Sequence, residues 1–451
     1  MPVSPRLLLP SGVPGLDEVL VGGIPETSLT VIGGGPGTGK TTLALQIAFA
    51  NASAERPALY FCGPAEPSDR LQQHVEHLKF FDSCRLGSDV QLIDLGAHFA
   101  ERDSGRVLDE LASEVGAMQP DLVVVDLPRA LTPTAMWSEI LQLLLCRLMT
   151  CVLVVDGPRT DSGVEAALTA ADNAIWLGAA DRSRTVEVLK ARGQAQLPGK
   201  HAVQHGWEGL RVFPRWPTPW RPRVRSGAER LGTGVEGIDC LLGGGVLAGG
   251  AVLVEGASGT GKTVLATQYL AECGHQGSPA LALLIEERSD RFVARAEAMD
   301  LQLDRLIQGG LVNIHSLRGR DVSCGELVHL IQRAVLEVGA RSVVIDSVGG
   351  LDLVVEDVRD FLWRAVDMLC GAGVTVWLNS LCAFKLRALA DDVLDLTCCD
   401  GQRKLEVVKS SAPVKGSGVA GFQIGEKGIE MQAWEKIRPT NGHMVGLSLS
   451  A

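Results

Sequence analysis

The sequence has no excess of positive charge. Lysine and arginine number 42 against 53 aspartates and glutamates, a formal net charge of −11. A chain so charged repels polyanions, which argues against nucleic acid as a ligand. No apolar run approaches the roughly 18 residues that cross a bilayer, so no membrane partner is expected. The longest runs, such as Met149–Val155, read as buried strands. No apolar h-region follows Met1, and the expectation is a cytoplasmic protein without a secretory leader. Eleven cysteines occur without one Cys-x-x-Cys pair. An odd count without paired spacing argues against a disulfide framework and against a structural zinc site. For the adjacent Cys398 and Cys399 two readings stand: a strained vicinal disulfide, or reduced thiols like the others.

What is present is a long chain that repeats itself. At 451 residues it exceeds one ordinary domain, and 46% hydrophobic residues suffice for real cores. Ser11-Gly12-Val13 with Gly15-Leu16-Asp17 recurs as Thr233-Gly234-Val235 with Gly237-Ile238-Asp239. Lys40 recurs as Lys262, Asp126 as Asp346 and Lys190 as Lys409, with offsets of 222, 220 and 219 residues. So long a period marks duplicated domains rather than a solenoid. Between the copies, Phe213–Pro222 holds four prolines, which fix φ and read as a semi-extended linker. The expected organisation is a first domain over 1–214, a Pro/Arg-rich linker over 215–228, a second domain over 229–432 and a short tail over 433–451. Each copy orders strand, Gly-rich loop, helix, strand, helix, strand. Leu122–Val125 and Ser342–Ile345 are continuous strand-forming runs that end in aspartate. Runs apolar on both faces, alternating with helices, predict an α/β fold: two tandem P-loop domains, each a mostly parallel twisted sheet flanked by helices.

Residues 34–41 and 256–263 both fit G-x-x-x-x-G-K-[ST] in full. In the first, Gly35, Gly37, Thr38 and Gly39 let backbone N–H groups turn inward around phosphates. Ser258, Gly259, Thr260 and Gly261 do so in the second. The helix that follows adds its positive end. Lys40 and Lys262 reach the β/γ-phosphates, and the Thr41 and Thr263 hydroxyls ligate Mg²⁺, with Thr42 and Val264 next in each contact set. Asp126 and Asp346, at strand ends facing the loops, suit the hold on the metal. The expected cofactors are ATP and Mg²⁺. Hydrolysis also needs a carboxylate on the attacking water. In copy two the strand around Leu281–Ile285 runs into Glu286-Glu287. In copy one, aligning Ser68-Asp69-Arg70 with Ser289-Asp290-Arg291 puts Glu66 on Glu287 and Ala65 on Glu286, so the first acid is missing there.

Two P-loop domains with a Glu-Glu pair after the second strand of copy two resemble the KaiC-type clock ATPases of the RecA superfamily, over about residues 8 to 432. Lys190-Ala191-Arg192-Gly193 is similar to the family's Lys-x-Arg-Gly element, which reaches the nucleotide of the neighbouring subunit. The resemblance implies an ATP-dependent homohexamer, a slow ATPase in the first ring, an autokinase in the second and a KaiB-like regulatory partner. The chain also departs from the family. Lys409 persists in copy two, but the arginine two residues on has become Ser411. The autokinases carry a Ser-Thr acceptor four and three residues before an Asp. Aligned on Asp395, the acceptor positions hold Asp391 and Asp392. These two either mimic the sign of a phosphate or serve a local turn.

Three functions are weighed: a hexameric slow ATPase with kinase ancestry, a nucleotide-gated binding scaffold with little turnover, and DNA strand handling. Ala65 and Ser411 favour the scaffold over fast catalysis. The stretch from Ser347 to Cys370 opposes DNA, since Asp352, Glu356, Asp357, Asp360 and Asp367 face only Arg359 and Arg364.

Overall fold

The computed structural model describes residues 7–64, 66–100, 104–127, 139–140, 142–143, 149–180, 183–215, 229–317, 323–353, 358–381, 386–414 and 418–432. The chain divides into two compact units between positions 217 and 218. Ala65, most of the linker and the tail expected after 432 lie outside the described residues.

In the first unit the strands are β1 (Leu29–Gly34), β2 (Ala58–Cys62), β3 (Val90–Asp94), β4 (Leu122–Asp126), β5 (Thr150–Asp156), β6 (Asn173–Ala180), β7 (Ser183–Ala191), β8 (Lys200–Gly206) and β9 (Gly209–Phe213). They form one sheet in the order β3-β2-β4-β5-β1-β6-β7-β8-β9. Strands from β3 through β6 pair in parallel, and β7 to β9 extend the edge antiparallel. The second unit repeats the plan with β10 (Ala251–Gly256), β11 (Ala280–Leu284), β12 (Val312–Ser316), β13 (Ser342–Asp346), β14 (Thr375–Ser380), β15 (Asp392–Cys399), β16 (Gln402–Lys409), β17 (Val419–Gly425) and β18 (Gly428–Met431). Its order is β12-β11-β13-β14-β10-β15-β16-β17-β18. The expected α/β class and the tandem, mostly parallel sheets are thus present. The antiparallel extension was not foreseen.

The central strands are continuously apolar because both faces are covered. All six residues of β1 and all six of β10 are buried. Helix α1 (Lys40–Asn51) buries Leu43, Ala44, Leu45, Ile47, Ala48 and Phe49, nearly its whole circumference. Helix α2 (Lys262–His275) does the same with Leu265, Ala266, Tyr269 and Leu270, and Tyr269 stacks on Trp377 of β14 at 4.5 Å. A helix apolar all round belongs in an interior. The buried glutamine in the middle of each is satisfied by the edge extension. Gln46 Oε1 accepts from Leu210 N at 2.7 Å, and Gln268 Oε1 accepts from Ile429 N at 2.8 Å. Each helix is thereby fixed to the last hairpin of its own domain. Its first turn then stands over the carboxyl ends of the parallel strands, where such sheets carry their ligands.

Candidate nucleotide sites

Each P-loop leaves the end of a central strand and turns into a helix. Gly39 and Gly261 cap the two helices at φ of 100° and 116°, in the left-handed region that favours glycine. The loops are held from within. Thr38 Oγ1 donates to Gly35 O, and Thr260 Oγ1 donates to Ala257 O, both at 2.9 Å. Gly37 and Gly259 sit at φ of 70° and 81° with open space where a side chain would stand. Thr42 Oγ1 lies 3.4 Å from His205 Nε2 on β8. Val264, half-buried, packs against the second core.

In copy one, Thr41 Oγ1 donates to Asp126 Oδ2 at 2.8 Å, and the buried Tyr60 hydroxyl donates to the same oxygen at 2.7 Å. Burial pushes the Asp126 carboxyl upward, while these two hydrogen bonds pull it back. In copy two, burial likewise raises Asp346, against bonds from Thr263 and Asn379. A desolvated carboxylate beside a threonine hydroxyl is an oxygen-only donor set, and it fits Mg²⁺. A cavity of about 80 Å³, lined by Thr41, Tyr60, Cys62, Gly63, Glu66, Leu71, Asp126 and Asp156, adjoins the first site. Lys40 Nζ donates to Gly35 O at 2.7 Å and lies 2.5 Å from Asp156 Oδ1. Lys262 Nζ donates to Gly256 O and Ala257 O at 2.6 and 2.8 Å, and burial lowers its pKa.

The acids after the second strand separate into two kinds. Glu287 accepts both guanidinium donors of Arg295, at 2.9 and 2.7 Å. Glu66 lies 2.8 Å from His74 Nδ1. In both copies the basic partner stands eight residues on, in the following helix. Glu286 accepts from Ser347 Oγ at 3.3 Å and lies within reach of the Lys262 charge. Gly350 packs so close that a Cβ there would meet Glu286 Cγ at 2.8 Å.

The remaining candidates lie at the other end of the sheet. Asp392 pairs with Val252, four residues before Gly256, which is about 13 Å along the strand. Asp391 Oδ2 accepts from Ala251 N at 2.8 Å; Asp172 Oδ2 accepts from Leu29 N in copy one at 3.1 Å. Fully buried Asp392 accepts from Leu247 N, from Ser410 Oγ and from Ser411 N and Oγ. These contacts account for the doublet without a phosphate. Lys190 Nζ donates to Leu168 O and Thr169 O, Lys409 Nζ donates to Ala390 O, and Arg192 lies 3.6 Å from Asp172. Cys398 and Cys399 are exposed free thiols, so the vicinal disulfide is absent.

A family model for the KaiC ATPase matches residues 9–216 and again 231–433. The chain belongs to the KaiC family. It is 24% identical to the circadian clock oscillator protein KaiC of Picosynechococcus over 93% of this chain and 88% of that protein. It is 26% identical to the one of Prochlorococcus marinus over 76% and 73% of the two chains. For the one of Thermostichus vulcanus the identity is 24%, over 94% and 89%. Among the described residues no helix is long and apolar enough to cross a membrane. Sequence reasoning passed over Tyr60, His74, Asp156, Arg295 and Asn379 as site residues. Asp156 carried a readable signal, because it closes an apolar run as Asp126 does.

Proposed function

We propose that this KaiC-family chain binds Mg-ATP at both P-loops, hydrolyses it slowly and works as a ring of identical subunits, with Glu286 as the base of the second site. The observation that carries this is the division of labour in the Glu286-Glu287 pair. Arg295 neutralises Glu287, which leaves Glu286 to orient a water and take its proton. Lys262 and the loop N–H groups hold the phosphates. Bound Mg²⁺ would offset the charge of the phosphates. Thr263 with Asp346, and Thr41 with Asp126, would hold that cation. Copy one lacks the first acid, and its Glu66 is engaged by His74. Slow or absent turnover there favours a role in which nucleotide occupancy sets a shape that a partner protein reads.

The position of Lys190 supports the ring reading. Ala174, the strand partner of Lys190, neighbours Asn173, which pairs with Thr30 four residues before Gly34. A cation so far from its own P-loop is placed to serve a nucleotide of a neighbouring subunit rather than its own. The test is Glu286→Gln in a Lys40→Ala background, in which only the second site turns over; unchanged phosphate release overturns the assignment.

A further inference from the structure

β5 ends on a carboxylate in direct contact with the P-loop lysine: Asp156 Oδ1 is 2.5 Å from Lys40 Nζ. Asp156 also lines the cavity that holds Thr41, Asp126 and Glu66. Strand register compares this position with copy two. Asp156 stands opposite Gly34 on the P-loop strand. In copy two the pairing runs to Glu255 with Ser380, so the next residue, Leu381, takes the equivalent place. Leu381 is uncharged and half exposed. Lys262 bonds to two loop carbonyls instead. The two sites, identical from Gly37 to Thr41 and from Gly259 to Thr263, therefore differ in the carboxylate that contacts the lysine.

We infer that Asp156 is a specificity-determining residue of the first site: it shares Lys40 with the incoming phosphate and makes nucleotide binding there depend on Mg²⁺ far more than in copy two. The inference rests on the reading of copy one as a Mg-ATP site. A lysine ammonium is a compact point charge with three donors. One donor is spent on Gly35 O and one on Asp156. A metal-free triphosphate arriving at Lys40 meets Asp156 on the same ammonium and Asp126 across the cavity. Like charges this close oppose one another, and the low dielectric of a cleft strengthens the effect. A divalent cation between phosphate and carboxylates reverses the sign. Asp156 is 45% exposed, so its pair with Lys40 is worth only about fivefold in an equilibrium constant. Removing its repulsion of phosphate as well brings the expected effect to about tenfold.

The experiment titrates a fluorescent ATP analogue into the full chain carrying Lys262→Ala, once with Mg²⁺ and once with EDTA. Asp156→Asn is expected to narrow the ratio of the two affinities about tenfold, through tighter binding in EDTA. The reciprocal Leu381→Asp, placed in a Lys40→Ala chain, is expected to widen that ratio at the second site. Because Leu381 is half exposed, this variant folds even where Asp156→Asn does not. Both ratios staying within twofold of their parents would overturn the inference. Failure of the Lys262→Ala chain to bind nucleotide even with Mg²⁺ would overturn the first site itself, and the inference with it.

Discussion

Glu286 and Glu287 are neighbours of identical chemistry, and the structure predicts opposite consequences for the same substitution. Glu286→Gln keeps the side-chain volume and an oxygen for the Ser347 hydroxyl at 3.3 Å, so the fold is unaffected. What it loses is the proton acceptor. General-base removal costs about 10²–10⁴-fold in rate, or about 3–5 kcal/mol of barrier. Glu287→Gln instead breaks a two-pronged pair with Arg295. The two side chains are 27% and 31% exposed, so solvent discounts the pair to about 1 kcal/mol. That corresponds to a fall of about 2–4 °C in the melting of a domain this size. The assay is phosphate release and thermal melting of both variants in a Lys40→Ala background. Glu286→Gln is expected to lose turnover and keep its melting point. Glu287→Gln is expected to melt lower and to keep its rate within several-fold. The reverse pattern, a dead Glu287→Gln beside an active Glu286→Gln, would refute the division drawn from Arg295.

Size-exclusion with light scattering is expected to show a hexamer in Mg-ATP; a monomer under saturating Mg-ATP would count against the ring. Burial raises the Asp239 carboxyl from 3.8 to about 6, despite the two bonds from Thr233. An acid raised on folding adds stability that is full below about 3.8 and lost as pH rises through 6, so Asp239→Asn should flatten the second domain's melting profile between pH 4 and 6, removing at most about 3 kcal/mol of slope. Ser411→Arg alone is expected to leave turnover low and to destabilise the second domain. Ser411→Arg joined to Arg230→Leu and Asp392→Asn is expected to melt normally, and phosphate release with melting curves distinguishes the two.

The features legible in the sequence are those written locally. The P-loops, the apolar strands and the aspartates that close them need only a few consecutive residues, and each is found twice. Asp156 escaped because its meaning depends on Lys40, more than a hundred residues earlier, brought near only by the pairing of β1 with β5. His74 and Arg295 escaped because each pair joins a strand end to a helix across a loop, where neither the strand period nor the helical period carries over. The Asp391-Asp392 doublet shows the limit of counting. Spacing from Asp395 put it on acceptor positions, whereas register puts Asp391 where Asp172 stands in copy one, holding the same backbone N–H at the start of the P-loop strand. Ala65 lies outside the described residues, so the missing acid of copy one rests on the sequence alone.

At one corner of the sheet the two copies differ by linked changes. At the entry to the strand beside the P-loop strand, copy one has Asn173, whose amide donates to Ser28 and Thr30. Copy two has Asp392 there, wholly buried. A buried carboxylate is costly unless a cation and hydrogen bonds surround it. Arg230 supplies the cation, 3.9 Å from Asp392, and stands where copy one has Leu8. Ser411, in the place of Arg192, completes the set. Its hydroxyl donates to Asp392 Oδ1 at 2.9 Å and accepts from Arg230 Nη2 at 3.1 Å. Copy one builds the same corner with Arg192 beside Asp172 and with Leu8 in the place of Arg230. Arginine at 411 therefore meets a corner already holding Arg230. It would remove the hydroxyl that links acid to base and set two like charges around one carboxylate. Only by also restoring Leu at 230 and Asn at 392 does the arginine regain the surroundings in which copy one keeps it. The missing arginine of the second domain is thus one member of a three-residue exchange, and its return must be tested as three.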